Sequence, residues 1–350
     1  MNNRSSNIEL LRIVAMLLVV FVHANYFSLG WINIDDINNE PINSFVRIIL
    51  EQICIVCVNV FVLISGWFGI KPSLKGATSL LYQILFFSLL VTAIISLFGN
   101  INLSLSNTLL PLYFGSSYWF IPAYLVLYII SPILNAFVEK TSPKVQFFVL
   151  TSFFTAEFVY DFIYMDFANF AKGYSAISFI GLYLLARFIK FNSERLKRLS
   201  ITNNILLYLL LTIIPALLFY FTKYPFNITH YSSPFVIGAS LFLLLAFVKM
   251  QFQNKFINYL SCSVFSIYLT HQHPLVIPYF RYIMRTAYET LGGWLYILFV
   301  FAFAFILLFS CVILDKLRII SWNYLYKTII SKTITKIEVL FLKIYEWIIN

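Results

Sequence analysis

Long apolar runs recur along the whole chain, and they constrain its fold more than any other feature of the sequence. Each run covers about 18 to 25 residues, which as a helix is long enough to cross about 30 Å of bilayer hydrocarbon. Only 11% of the 350 residues are charged, whereas a soluble domain carries about 25%. The sequence therefore predicts an all-α integral membrane protein, a bundle of ten transmembrane helices. The predicted spans are roughly residues 8–29, 45–70, 76–98, 118–138, 145–165, 173–191, 204–222, 232–250, 259–280 and 292–315.

The distribution of basic residues predicts how this bundle is oriented. With a cytoplasmic N-terminus, the segments on that side hold 18 Lys and Arg, and the segments on the opposite side hold five. Such an excess is typical of the cytoplasmic side of a membrane protein. We therefore expect both termini in the cytoplasm. The net charge of +10 is then explained by anionic lipid headgroups, and no nucleic-acid partner is expected.

Residues 326–350 differ in kind from the membrane domain predicted over residues 1–325. Apolar residues recur there at spacings of four and three, from Ile330 to Ile348, and the lysines lie off this stripe. The spacing predicts an amphipathic helix, and a basic polar face is suited to the surface of the inner leaflet. A helix that binds a partner protein would show the same pattern, so both interpretations stay open.

The first span carries ionisable residues, which are costly inside a membrane and often functional. Glu9 and Arg12 lie near its start, and His23 lies deep within it. Arg12 and His23 are 11 positions apart, which puts both on one helix face with about 16 Å between them along the axis. A neutral imidazole can accept a proton from a hydroxyl near pH 7, so His23 is the candidate general base. A histidine that only hydrogen-bonds neighbouring helices is the plainer alternative.

A second polar cluster lies in the ninth predicted span. His271 and His273 form it, and Tyr268 lies just before them. Pro274 follows, breaks the local helix and frees backbone carbonyls that protein or water must satisfy. The ninth span runs in the same direction as the first, so His271 is expected at a depth similar to that of His23.

Other polar and aromatic side chains are candidates for the same cavity. Asn59 lies within the second span, and Glu157 and Asp161 lie near the outer end of the fifth. Trp119 begins the fourth span, where the aromatic belt of the membrane interface is the simpler explanation. A solvated helix end explains the two carboxylates equally well.

Two pairs of residues have plain interpretations as well as functional ones. Lys71 and Lys75 form the connection between spans two and three, where ammonium groups could hold phosphates or simply set topology. Cys54 and Cys57 lie one turn apart in an apolar span. We interpret them as packing residues, because a zinc site needs further ligands, and no metal site is predicted.

Four stretches together resemble the acyltransferase-3 family of membrane-embedded acyltransferases. The first is Glu9-Leu-Leu-Arg12 with the apolar run that ends at His23; the second, residues 59–68, ends in Ser-Gly-Trp-Phe. The third, residues 118–135, begins Tyr-Trp-Phe-Ile-Pro, and the fourth, residues 266–271, reads Ser-Ile-Tyr-Leu-Thr-His. They follow one another in the family's order. Members often have ten spans, and many O-acetylate bacterial cell-surface polysaccharides.

The resemblance implies transfer of an acyl group, by family precedent acetyl, from cytoplasmic acyl-CoA to a hydroxyl on the outer side of a bacterial cell membrane. Acetyl-CoA would be a donor substrate, and no permanently bound cofactor is implied. The acceptor would be a cell-surface glycan or a lipid-linked sugar. His23 would be the essential histidine and Arg12 its partner on the first helix. Many members carry Arg-x-x-Arg near the start of span three, where this chain has Lys71 and Lys75.

Two other functions fit the same pattern of residues. A transporter or flippase for a lipid-linked sugar would also have polar residues in its spans and a proline-broken helix, but it would more often show internal repeats. An acyltransferase could instead act on a small molecule or a peptide. Direct attack of the acceptor hydroxyl on the thioester is favoured over an acyl-enzyme, because no serine or cysteine is evident beside a base.

Overall fold

The computed structural model describes residues 4–99, 118–162, 169–224 and 229–349, and over these ranges the chain forms helices and no strands. Short π-helical and 3-10 turns interrupt or join some of the α-helices. In chain order the α-helices are α1 (Ser6–Val22), α2 (Ile34–Asn39), α3 (Pro41–Cys54), α4 (Cys57–Phe68), α5 (Leu74–Gly99), α6 (Phe120–Lys140), α7 (Pro143–Phe162), α8 (Ala176–Asn192), α9 (Glu194–Arg198), α10 (Ile201–Thr222), α11 (Pro234–Lys249), α12 (Lys255–Ser261), α13 (Val264–His271), α14 (Ile277–Leu291), α15 (Gly293–Leu325) and α16 (Ser331–Ile349).

Six of the described helical segments are long and apolar enough to cross a membrane, so the chain is an all-α protein with membrane-spanning helices. Other predicted spans fall on shorter or more polar elements, and ten crossings stay a prediction. Helix α11 has 16 residues and rises only about 24 Å, and α8 has 17 residues. The six segments are Ser6–Phe27, Pro41–Phe68, Leu74–Phe98, Phe120–Lys140, Ile201–Thr222 and Gly293–Ile349.

The ninth predicted span is broken into short helices. Helix α12 ends at Ser261, α13 ends at His271, and α14 begins only at Ile277. Pro274 lies in the turn between α13 and α14, where its ring and missing N–H prevent a continuous helix. The break turns the end of α13 toward α1, and this brings His271 to the middle of the bundle.

Helix α1 is the centre of the bundle. It packs against six other helices, namely α3, α4, α11, α12, α13 and α15. The side chains of Leu11, Ala15 and Val20 on α1 are fully buried. Glu9, on the same helix, is also buried in protein, which is the setting in which a membrane protein tolerates a polar group.

Helices α4 and α8 approach each other closely at a glycine. A Cβ atom at Gly66 would lie 2.5 Å from the carbonyl oxygen of Tyr183 and 2.9 Å from the Cβ of Ala186. Small residues at such contacts let two backbones pack tightly, a common device in membrane bundles. Gly66 therefore fixes α4, and with it Asn59, against the rest of the core.

The C-terminal residues continue the helix of α15 without a break. A π-helical turn, Tyr326–Ile330, joins α15 to α16, and the ammonium of Lys75 lies 4.4 Å from the centre of the Tyr326 ring. Beyond Ile334 the side chains of α16 are exposed. The described residues from Tyr326 onward are helical, and the amphipathic surface helix expected over residues 326–350 stays a prediction.

Candidate active site

The end of α1 is distorted at the residue that the sequence singles out. The α-helix stops at Val22, and a π-helical turn runs from His23 to Phe27. The hydroxyl of Ser28 donates a hydrogen bond to the carbonyl oxygen of His23, with 2.6 Å between the two oxygens. Single π turns are rare and occur frequently at functional sites. Here the turn re-aims the side chains of His23 and Asn25 relative to a regular helix.

His23 contacts His271 directly. The Nδ1 atom of His23 lies 2.8 Å from the Nε2 atom of His271. The side-chain amide nitrogen of Gln272 lies 2.9 Å from the same Nδ1 atom. His271 and Gln272 are buried. The broken ninth predicted span therefore supplies two polar side chains that contact the Nδ1 atom of the His23 ring.

The hydrogen bonds of the two imidazoles are compatible with the following assignment of their protons. The Nδ1 atom of His271 lies 2.6 Å from the carbonyl oxygen of Ile267, and a carbonyl only accepts, so this nitrogen bears hydrogen. In the neutral pair, Nε2 of His271 is then an acceptor, and Nδ1 of His23 donates to it. Turning over the Gln272 amide presents its oxygen as a second acceptor for the same proton. The Nε2 atom of His23 is left as an unprotonated base.

Three neighbouring cavities follow α1 through the bundle. The Arg12 cavity, about 310 Å³, is lined by Arg12 and by polar side chains of several helices. The middle cavity, about 50 Å³, shares Met16 and Phe61 with it and is lined by His23. The Trp31 cavity, about 360 Å³, shares His23 and Trp119 with the middle cavity. His23 thus lies where the narrow middle section meets the Trp31 cavity.

Arg12 belongs to a different part of this path from His23. Its Nη1 atom lies 2.7 Å from Oε1 of Glu9, an ion pair within α1. Glu9 is buried, and its second oxygen has no hydrogen-bond partner among the described residues. The side chain of Arg12 is 37% exposed. Arg12 is thus ion-paired with Glu9 and lines its own cavity, and its expected partnership with His23 stays a prediction.

An aromatic wall separates the middle cavity from the Trp31 cavity. The ring of Trp119 lies 4.6 Å from that of Tyr174 and 5.9 Å from that of Tyr231, measured between centroids. Asn59 donates a hydrogen bond from Nδ2 to the carbonyl oxygen of Tyr231 over 2.8 Å. Asn59 thus anchors the aromatic wall through its hydrogen bond to Tyr231, whereas the ring of Trp119 is part of the wall itself. Tyr268 lines the middle cavity from the opposite side.

The loop that carries Tyr231 also carries His230, a histidine of unusually low basicity. Burial, with a smaller contribution from the positive charge of Lys172, lowers the pKa of His230 from 6.5 to about 4. The neutral form of His230 is therefore the one that fits the folded loop. This loop connects α10 to α11, outside the membrane-spanning segments.

Some predicted residues lie away from the cavities. Lys71, on the connection between α4 and α5, and Lys75, in the first turn of α5, are exposed. Neither is among the side chains that line the Arg12 cavity. Glu157 and Asp161 are buried near the end of α7, also outside the lining of the three cavities. Their roles stay predictions.

Sequence reasoning missed the carboxylate that lines the Trp31 cavity. Glu51, in α3, is 2% exposed, and its Oε2 atom accepts a hydrogen bond from Nδ2 of Asn25 over 2.9 Å. The Oδ1 atom of Asn25 accepts a hydrogen bond from Nε of Arg47 over 3.0 Å. The sequence signal that could have indicated Glu51 is its position as an acidic residue inside an apolar run.

The fold and the site together define a helical membrane protein with a pair of contacting histidines, one of which lies between two cavities. The family of membrane acyltransferases known as acyltransferase-3, described as an acyltransferase domain, matches residues 5–315. This match covers nearly the whole chain, and the chain belongs to that family. Searches of curated proteins and of solved structures found no match.

Proposed function

We propose that this acyltransferase moves an acetyl group from cytoplasmic acetyl-CoA to a hydroxyl of an extracytoplasmic glycan or lipid-linked sugar, with His23 as the general base. The observation that supports this most directly is the position and tautomer of His23. Its Nδ1 atom is engaged by His271, and its ring lines both the middle cavity and the Trp31 cavity. The protein would reside in a bacterial cell membrane with both termini in the cytoplasm.

The donor would enter from the Arg12 side. CoA is a polyanion, so its nucleotide favours the basic cytoplasmic face, while its long uncharged arm can enter a low-dielectric interior. The Arg12 cavity offers the guanidinium of Arg12 and the polar groups of Ser65, Gln83 and Tyr124 along its walls. Hydroxyl and amide side chains of this kind suit the amide groups of the arm. Lys71 and Lys75, on the same expected face, remain a hypothesis for the phosphates.

The reaction would proceed by direct transfer. The acceptor hydroxyl gives its proton to Nε2 of His23 as its oxygen bonds to the thioester carbonyl carbon. The tetrahedral intermediate then collapses, the carbon–sulfur bond breaks, and the thiolate of CoA leaves. The proton on His23 passes to that thiolate. The imidazolium formed in between donates from Nδ1 to His271, which stabilises the positive charge.

Purified protein in lipid nanodiscs provides a direct test. We expect wild type to cleave acetyl-CoA, measured as free thiol, and to lose this activity on His23→Gln. Asp35→Asn, an exposed carboxylate on α2, is the control and should retain full activity. Acetyl groups that remained on the denatured protein would contradict direct transfer.

The same variants can be compared in cells. Ester-linked acetate on the surface polysaccharide should return when a deletion strain receives the wild-type gene and should stay absent with His23→Gln. Equal acetate in all strains, with the polysaccharide itself missing from the deletion strain, would favour a transporter or flippase instead.

A further inference from the structure

We infer that Glu51 is the acceptor-binding residue of the Trp31 cavity and that it recognises a second hydroxyl next to the one that His23 deprotonates. The inference rests on the proposed function, and it specifies the acceptor. The acceptor is a pyranose ring with two neighbouring hydroxyls, stacked against the aromatic wall formed by Trp119, Tyr174 and Tyr231.

The first argument is that Glu51 is a buried carboxylate that faces a cavity. Burying a carboxylate inside a membrane protein is costly unless a cation or several hydrogen bonds compensate it. None of the ion pairs among the described residues includes Glu51. The Nδ2 atom of Asn25 and the backbone N–H of Tyr26 each supply a hydrogen bond, and Arg47 lies near enough to interact with the charge. A carboxylate has capacity for several more, and Glu51 lines the Trp31 cavity, where a ligand hydroxyl can supply one.

The second argument is that the same π turn sets the positions of both groups. His23 and Asn25 belong to the turn His23–Phe27, and Asn25 holds the carboxylate of Glu51. The bond from Arg47 to Oδ1 of Asn25 fixes the amide orientation, so that Nδ2 faces Glu51. The base and the carboxylate are therefore held in one fixed arrangement along the cavity, as recognition of two groups on a rigid ring requires.

The third argument is the shape and chemistry of the walls. The cavity volume, about 360 Å³, lies within the range of small-molecule sites, about 300 to 1,000 Å³. Aromatic rings dominate the lining, together with few polar groups. A pyranose presents an apolar face of C–H groups and a rim of hydroxyls, and this pattern matches rings beside a carboxylate.

The fourth argument excludes a cationic acceptor, which would otherwise suit aromatic rings and a carboxylate. The guanidinium of Arg281 lies 4.0 Å from the centre of the Phe27 ring, which lines the cavity. Arg47 lies 5.9 Å from the Tyr26 ring, and Arg285 donates to the carbonyl oxygen of Ser28. Three arginines beside Tyr26, Phe27 and Ser28, the first two of which line the cavity, disfavour an ammonium group there.

The test uses the full-length protein in nanodiscs with methyl glucopyranoside, methyl galactopyranoside and methyl mannopyranoside as acceptors, each also as analogues that lack one hydroxyl. Free thiol measures cleavage of acetyl-CoA, and ester-linked acetate on the sugar measures transfer. The variants are Glu51→Gln, which keeps the shape of the side chain, Glu51→Ala, and the control Asp35→Asn.

We expect Glu51→Gln and Glu51→Ala to lower transfer to at least one pyranoside about 10-fold or more, the effect of losing a charge-assisted hydrogen bond. Transfer should fall more than the cleavage of acetyl-CoA by water without a sugar acceptor. One deoxy analogue should lower wild-type transfer by a similar factor and should add nothing to the effect of Glu51→Gln, because both changes remove the same bond.

Several results would overturn the inference. Equal loss of cleavage and transfer in Glu51→Gln would place Glu51 in the chemistry or the fold. Wild-type transfer to ethanolamine or to a serine peptide but to no pyranoside would exclude the sugar and leave the acyltransferase intact. Additive effects of Glu51→Gln and every deoxy analogue would remove the proposed contact. Absence of acetyl-CoA cleavage by wild type would instead contradict the proposed function itself.

Discussion

The Nδ1 atom of His23 and the Nε2 atom of His271 lie 2.8 Å apart, although 248 residues separate them in the chain. The contact joins the π turn of α1 to the last residue of α13. It gives His271 a positioning role, since His271 holds the ring of His23 and directs its basic nitrogen away from α13. Kinetic measurements can distinguish this positioning role from general base catalysis.

We predict that His23→Gln lowers kcat by about 10²- to 10⁴-fold, the usual contribution of a general base. His271→Ala should lower kcat by only about 10-fold, the cost of one lost hydrogen bond, with KM for acetyl-CoA unchanged. Steady-state kinetics in nanodiscs would measure both. A loss for His271→Ala as large as that for His23→Gln would show that His271 itself touches the substrate.

We predict that Arg12→Gln acts on donor binding instead of on chemistry. Arg12 lines the Arg12 cavity and does not contact His23, so its removal should raise KM for acetyl-CoA about 10-fold while kcat changes little, since a hydrogen bond to a charged group contributes about this much. Glu9→Gln leaves Arg12 without its ion-pair partner and should change KM less. A fall in kcat with unchanged KM would contradict this assignment.

Cys262 offers a chemical probe of the same cavity. It is exposed and lines the Arg12 cavity, whereas Cys54, Cys57 and Cys311 are buried. We predict that a membrane-impermeant maleimide labels wild type in inside-out vesicles, that Cys262→Ser abolishes the labelling, and that acetyl-CoA slows it. Labelling of intact cells by the same reagent would reverse the proposed orientation, and labelling unaffected by acetyl-CoA would place the donor elsewhere.

We predict that Gly66→Ala destabilises the bundle by about 1–3 kcal/mol, the usual cost of forcing an extra group into a packed core. Its Cβ would meet the backbone of Tyr183, which cannot rotate away. Gly238→Ala is a matched control, because the atom nearest its Cβ is the methyl end of Leu211, at 3.0 Å. Thermal unfolding in detergent would rank the two variants, and equal melting temperatures would contradict the tight contact.

The low pKa of His230 predicts a loss of stability in acid. Its folded pKa of about 4 lies below the ordinary 6.5, so the unfolded chain binds the proton more readily. The contribution of His230 to stability is therefore complete above pH 6.5 and falls as the pH drops toward 4, by about 1–2 kcal/mol at pH 5. Wild type should lose more thermal stability between pH 7 and pH 5 than His230→Gln, and parallel curves would contradict the assignment.

The sequence predicted the helical membrane architecture well, because long apolar runs leave few alternatives in a bilayer. It also indicated His23 and His271 at similar depth. It did not predict their contact, since the π turn at His23 depends on packing around α1 and has no local signature. Arg12 shows a similar limit. Helical periodicity placed it on the face of His23, but the choice of Glu9 as its partner depends on side-chain conformations that periodicity does not give.

Glu51 and Tyr231 were missed for a different reason. A carboxylate in an apolar run weakens the case for a span, and a tyrosine in a short loop resembles an ordinary interfacial aromatic residue. Only the fold brings α3, the π turn and the loop after α10 around one cavity. Conversely, Lys71 and Lys75 had a suitable charge, but the structure leaves them exposed and outside the lining of the Arg12 cavity.

The narrow middle cavity has a consequence for the cell that carries this protein. At about 50 Å³ it has room for only a few water molecules, too few to replace the hydration shell of an ion. Ions would therefore not leak through this protein, and the cell's electrochemical gradients would be preserved. An acyl group could be passed to the outer side of the membrane while the bilayer stays impermeable to ions.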